Sequence, residues 1–290
     1  MRVLKKFIAP VLVTLTLGLN LISNSALAES SQMNKSSVIQ QIGDDAEIDW
    51  SKNVIRVTGS GAPPDKGNQA QRRLMAIRAA KADAFRQFIE VINGVHVNSE
   101  TVVKDFVTES DVIKTKVEGL IKGAEIVGEP KYMSDGSVEV EMQVKLFGKD
   151  KSIASVIKPE EQKDNIPDTK LTPANISEKY SSVIIDCKGL GVLPAMSPSV
   201  IDENGGEVYY GNLPVDPDFV INEGIVSYAS SMSEAKNNSR AGNNPLIIKG
   251  VKVIGNFKSD VTITNNDSRK LLGANEETNF LKSSKVIMVI

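Results

Sequence analysis

The run Ser137–Leu146 constrains the fold of this chain more than any other stretch. Val138, Val140, Met142, Val144 and Leu146 alternate with Glu139, Glu141, Gln143 and Lys145, the period-two pattern of an antiparallel strand with one dry face and one wet face. Such a strand needs a partner along its edge and an apolar layer over its inner face. Ser134-Asp135-Gly136 supplies a turn, and Ile121–Met133 reads as the preceding strand of a hairpin, bulged near Gly128 and Pro130. The covering layer is a helix from Asn68 to Ile92, where Leu74, Ile77, Ala84, Phe88 and Val91 recur at helical spacing and Gly94 ends the run. Upstream, Ala46–Asp49 and Val54–Thr58 bracket Ser51-Lys52-Asn53 as a short hairpin, and Gly59–Lys66 is expected to interrupt regular structure. Val95–Val103 alternates as a strand, and Phe106–Val117 reads as a helix. The expected class is α+β, an N-terminal helix packed on an antiparallel sheet.

A second, strand-rich α+β domain is expected at 180–290. Ser182–Cys187 has the continuous apolar character of a buried strand, Val200–Asp202 and Glu207–Tyr210 flank the turn Glu203-Asn204-Gly205-Gly206, and Pro245–Ile254, Val261–Thr264 and Lys285–Ile290 follow as strands. Ser231–Asn237 and Asn266–Leu272 are helix candidates, the latter capped by Asn266 or Asp267. The first domain occupies 46–147. Residues 148–179, with Pro159, Pro167, Pro173 and the run Glu160-Glu161-Gln162-Lys163-Asp164, read as a linker.

The N-terminus carries an export signal. Arg2, Lys5 and Lys6 precede the apolar run Phe7–Ile22, and Ala26-Leu27-Ala28 ahead of Glu29 is the order a signal peptidase reads, so cleavage is expected after Ala28. The run is too short and too diluted by Pro10, Thr14, Thr16 and Asn20 for a spanning anchor. Residues 29–45 then read as a flexible leader. The sole cysteine, Cys187, does not follow the small-residue site, so neither a lipid anchor nor an intramolecular disulfide is expected, and a packed core must hold the fold. An apolar content of 41% is sufficient for one. The whole chain has a formal charge of −2 and loses three basic residues with the signal, which argues against nucleic acid as a partner.

Chemistry is sparse. Gly59-Ser60-Gly61 and Gly189-Leu190-Gly191 lack the third glycine of a phosphate loop, and Pro63 and Pro64 remove amide donors from the first. Ser155-x-x-Lys158 and Ser233-x-x-Lys236 match a serine–lysine spacing without its companion motifs. His96, the only histidine, is expected on the outer face of a strand, and Cys187 as a buried thiol. Asp202-Glu203 and Asp216-x-Asp218 are the acids available for a carboxylate-dependent hydrolase or a calcium site. Trp50, Tyr209, Tyr210 and Tyr228 are the aromatics a glycan-binding reading would use. No catalytic, cofactor or metal residue is assigned. The candidate partner surface is the basic helix bearing Arg72, Arg73, Arg78, Lys81 and Arg86.

Ala76-Ile77-Arg78-Ala79-Ala80-Lys81-Ala82-Asp83-Ala84, Gly94-Val95, Gly119, Lys122-Gly123-Ala124 and Asp135-Gly136 give residues 46–147 a resemblance to the lipoprotein-twenty (LPP-type) family and to the N-terminal domain of flagellar assembly protein T. Ile185–Met196 resembles a region that accompanies this domain in uncharacterised exported bacterial proteins. The resemblance implies a non-catalytic α+β domain on the periplasmic side of the outer membrane, which in some members forms part of a ring around the flagellar motor. The anchor cysteine of the family's lipoproteins is missing here. The resulting expectation is an exported protein, periplasmic, at the outer membrane or secreted, that binds envelope or flagellar proteins, or copies of itself, in assembling a larger structure.

Overall fold

The computed structural model describes residues 37–158, 166–211 and 215–290. The export signal and its cleavage site, the leader up to residue 36, the charged run at 160–164, Pro159 and Pro214 lie outside these residues. The chain is α+β.

The first sheet starts inside the expected leader: β1 (Ile39–Ile42) pairs with β2 (Ala46–Asp49), which turns through Trp50–Asn53 into β3 (Val54–Gly61). Asp49 tightens that turn by accepting from the Lys52 amide at 2.9 Å. The interruption expected at Gly59–Lys66 begins only at Ala62, because β3 runs on to Gly61. The long helix α1 (Gln69–Asn93) begins at Asn68, whose side chain accepts from Gln71 N while the Gln71 side chain accepts from Asn68 N, and it stops at Gly94.

Of the apolar positions that predict the buried face of α1, Ala84, Phe88 and Val91 are buried and Ile77 packs against the core, but Leu74 stays outside it. Leu74 is 50% exposed, whereas Ala76, Ala80, Ala84 and Phe88 are fully buried. The cause is in β3. A methyl group on Gly59 would lie 2.1 Å from the Ala80 carbonyl oxygen, and one on Gly61 would lie 2.3 Å from that of Ala76. Two side-chain-free strand positions face a row of alanines, so helix and strand meet almost backbone to backbone. Leu74 has no room on that side.

After α1 the expected strand Val95–Val103 is a loop with a single bridge, His96 to Val102. The expected helix Phe106–Val117 is two helices, α2 (Val103–Glu109) and α3 (Asp111–Lys122), divided at Ser110, whose extended backbone and side-chain bond from Ile113 N start the second one. Because α3 runs to Lys122, the expected strand Ile121–Met133 shrinks to β4 (Glu125–Ile126) and β5 (Lys131–Tyr132), separated at Gly128, where φ is +70°, and Pro130. Both pair with β6 (Val138–Lys145), which follows the alternation of its sequence and pairs with β3 along its length. The expected linker contains α4 (Ile153–Ile157), with Ile153, Ala154 and Ile157 buried.

The second sheet is built from β7 (Ser182–Asp186), β8 (Val200–Ile201), β9 (Glu207–Tyr209), β10 (Ser227–Ala229), β11 (Pro245–Ile254), β12 (Asp260–Ile263) and β13 (Val286–Val289) in the order β10-β13-β7-β11-β12-β8-β9. The run β10-β13-β7-β11 is parallel. Its central strand β7 is buried on both faces, as a parallel strand with cover on both sides must be. One face joins the main core, and α6 (Met232–Asn237) covers the other over Ile184, Ile287 and Val289. The remaining helices are α5 (Pro217–Glu223) and α7 (Asn265–Thr278), the latter capped by Thr264 rather than by Asn266 or Asp267.

The two sheets share one core within a single compact unit. Trp50, at the first turn, meets Tyr228 of β10 edge-on at 5.8 Å, and the Ser51 hydroxyl donates to the Tyr228 carbonyl. The Tyr228 hydroxyl accepts from Ala195 N and donates to Ala195 O. Residues 166–181 cross α7, where Ala174 N donates to Arg269 O at 2.8 Å and Gly273 leaves room for the Ala174 carbonyl.

Candidate functional site

The outer face of α1 carries the five basic residues singled out from the sequence, and the structure divides them. Arg86 is committed: its Nη2 lies 2.6 Å from Asp83 Oδ1. The other Asp83 oxygen accepts from Ser60 N and Gln87 Nε2, and the Ser60 amide, more than the guanidinium, holds this carboxyl below its usual range. Lys81 is half-buried, and Arg78 is exposed with its Nη1 3.9 Å from the Met75 sulfur. Interleaved with these are Leu74, Met75 and Ile89, each 46–50% exposed. The same packing of β3 that turned Leu74 away from the core therefore creates a mixed apolar and basic stripe along a 25-residue helix.

At the N-terminal end of α1, Arg72 and Arg73 stand together. Arg72 Nε donates to the Pro64 carbonyl at 2.8 Å, and the Arg73 guanidinium stacks 3.7 Å above the Tyr132 ring on β5. With Pro63, Gln69 and Gly136 these residues line a concavity of about 390 Å³. Tyr132 was not among the sequence candidates. No one-dimensional signal marks it, because its significance depends on β5 lying next to the start of α1.

The remaining candidates have structural duties. Gly189 and Gly191, both at positive φ, shape the turn after β7. Ser155 belongs to the reciprocal cap of α4, exchanging bonds with Ser152. Ser233 and Lys236 are exposed on α6. Asp202 is buried and its carboxylate accepts from Asn204 N, Gly206 N and the Thr169 hydroxyl, which fixes the β8–β9 turn. Glu203 accepts from Asn265 N at the start of α7. Asp216 is the N-cap of α5 and accepts from Asp218 N. Among the described residues no group of three His, Cys, Asp or Glu side chains is placed to hold a metal.

His96 is not on the outer face of a strand. It is half-buried in the loop after α1, stacked 4.5 Å from Phe257, and burial lowers its pKa although a bond to the Pro194 carbonyl opposes this. Cys187 is buried, and desolvation with nearby Asp186 pushes its thiol up to about 12. Trp50, Tyr209, Tyr210 and Tyr228 are all buried, which removes them as a stacking platform for sugars. Among the described residues no helix is long and apolar enough to cross a membrane.

Fold and site together describe an α+β protein with a mixed apolar and basic surface on one long helix. Residues 182–290 are similar to the family described as the second domain of Treponema pallidum Tp0624. The match spans less than half of the chain and lies wholly outside residues 46–147. No curated protein matches the chain.

Proposed function

We propose that this is an exported, non-catalytic, periplasmic protein that binds other envelope proteins through the outer face of α1. Its role is assembly of an outer-membrane or flagellar structure, as the LPP-type and flagellar assembly protein T resemblance implies, and it is held there by protein contacts rather than by a lipid anchor. The observation that carries this reading is the stripe of Leu74, Met75 and Ile89 beside Arg78, large apolar side chains left half in water on a helix whose other face is fully engaged. Apolar anchors next to arginine are the composition that binding surfaces concentrate. The duties found for Asp202, Asp216 and Ser155 support a binding role over hydrolysis.

The test is site-specific photo-crosslinking in the native cell, with the photoreactive residue at Met75 or Ile89 and, as a control, at Val112 on α3. Discrete adducts from the α1 positions alone are expected. Their mass distinguishes a second copy of this chain, as a ring would require, from a different protein. Uniform recovery of uncrosslinked monomer, or equal adducts from Val112, would refute the reading.

A further inference from the structure

We infer that the concavity between Arg72, Arg73 and Tyr132 receives a carboxylate from an acidic segment of the protein partner. This rests on the reading of α1 as a partner-binding helix, and it names the chemistry the partner must offer at that end.

Both guanidiniums are set up to receive an acid and have none. Neither forms an ion pair with a described residue, in contrast to Arg86 with Asp83 and Arg56 with Glu47. The first turn of α1 contains no acidic side chain, so the positive end of the helix dipole is left uncompensated there. The Asn68 and Gln71 cap engages the Asn68 and Gln71 amides, and the two arginine side chains add charged donors beside them. Arg73 holds its guanidinium over the Tyr132 ring, a contact that restricts the rotamers binding would otherwise have to freeze. Arg72, which also lines the cavity, is tethered through Nε.

The shape selects among anions. At about 390 Å³ the site is far larger than a lone ion needs, a water occupying roughly 30 Å³. Pro63 and the half-exposed Tyr132 ring give it apolar walls suited to the methylenes of a glutamate and the chain beside it. A planar carboxylate meets a guanidinium edge with two parallel bonds. Among the described residues no lysine lines the site to add the charge that a phosphate dianion would favour.

The test is calorimetric titration of the protein, purified after export from cells expressing the full chain, with a short capped glutamate-rich peptide and separately with inorganic phosphate. Saturable peptide binding that weakens with salt is expected, together with a loss of about tenfold or more in Arg73→Gln and a smaller loss in Arg73→Lys, which keeps the charge without the fork. Lys236→Gln, exposed on α6 and outside the α1 surface, leaves binding unchanged, and circular dichroism confirms that these exposed substitutions preserve the fold. Absence of peptide binding, binding within about twofold of wild type in Arg72→Gln/Arg73→Gln, or tighter binding of phosphate than of peptide would each overturn the inference. Crosslinking from Ile89 without peptide binding refutes the pocket alone, whereas peptide binding without crosslinking refutes the partner reading.

Discussion

Replacing Gly59 with alanine asks whether α1 and β3 truly meet backbone to backbone. The added methyl would lie 2.1 Å from Ala80 O, 2.5 Å from Ala84 N and 2.8 Å from the Ala84 methyl. An unstrained carbon–oxygen approach is about 3.3 Å or more, so roughly 1 Å of separation must be found. The two nearest atoms belong to the helix backbone, so no side-chain rotation can relieve the clash. If α1 retreats, the contacts of Ala76, Ala80, Ala84 and Phe88 with the sheet loosen together, and a gap of about 0.5–1 Å forfeits a quarter to a half of each dispersion well. We expect a loss of about 3 kcal/mol, the upper end of the usual range for overpacking. Gly59 is not among the residues at positive φ, so alanine fits its backbone and the effect isolates sterics. Gly61→Ala should behave alike, and the double variant should lose less than the sum because one helix displacement relieves both. The assay is urea unfolding compared at constant m-value. Gly119→Ala in α3 is the control: nothing lies within 4 Å of the added methyl, and a gain of about 0.5–1 kcal/mol is expected. A loss below about 0.5 kcal/mol in Gly59→Ala would refute the close packing.

Two further outcomes follow from buried titratable groups. His96, the only histidine, has a folded pKa below 6.5, so as pH falls the unfolded chain takes up the proton first; stability is present above pH 6.5 and declines below it, and His96→Phe should flatten that decline in urea midpoints measured across the window. Proton NMR of the single imidazole should show its titration below the value for the unfolded chain. For Cys187 the folded pKa of about 12 stands above the ordinary value of 9.0, so the native thiol stays protonated and shielded, and a thiol-specific reagent at pH 8 should modify it only on unfolding; fast modification of the native protein would contradict its burial.

Local patterns were legible and non-local choices were not. The alternation of β6 and the caps of α1 are properties of neighbouring residues, and each element forms where its residues indicate. Ala84, Phe88 and Val91 mark the buried face of α1 from the helix alone, whereas the exposure of Leu74 depends on the lack of side chains on β3, which no pattern within the helix encodes. The β1 run Ile39-Gln40-Gln41-Ile42 and the five residues of α4 are too short for a periodic signal and depend on their packing. Ile121–Met133 has strand-like composition, yet Lys122 ends a helix there and Gly128 and Pro130 leave only two short pairings to β6. The parallel order β13-β7-β11 joins segments far apart in the chain, which no local pattern encodes. In the site, the arginines of α1 were visible, but which of them are committed was not. Asp83 claims Arg86 along the helix, while Tyr132 reaches Arg73 only through the sheet.

Trp50 is the chain's one tryptophan, and it sits where the two sheets meet, its ring against Tyr228 and its Nε1 donating to Gln40 Oε1. Its fluorescence is therefore an optical gauge of the seam. It reports the joining of the two halves as well as the edge of the first sheet, so a change in which the sheets part while each keeps its strands would move the emission and leave the circular dichroism still.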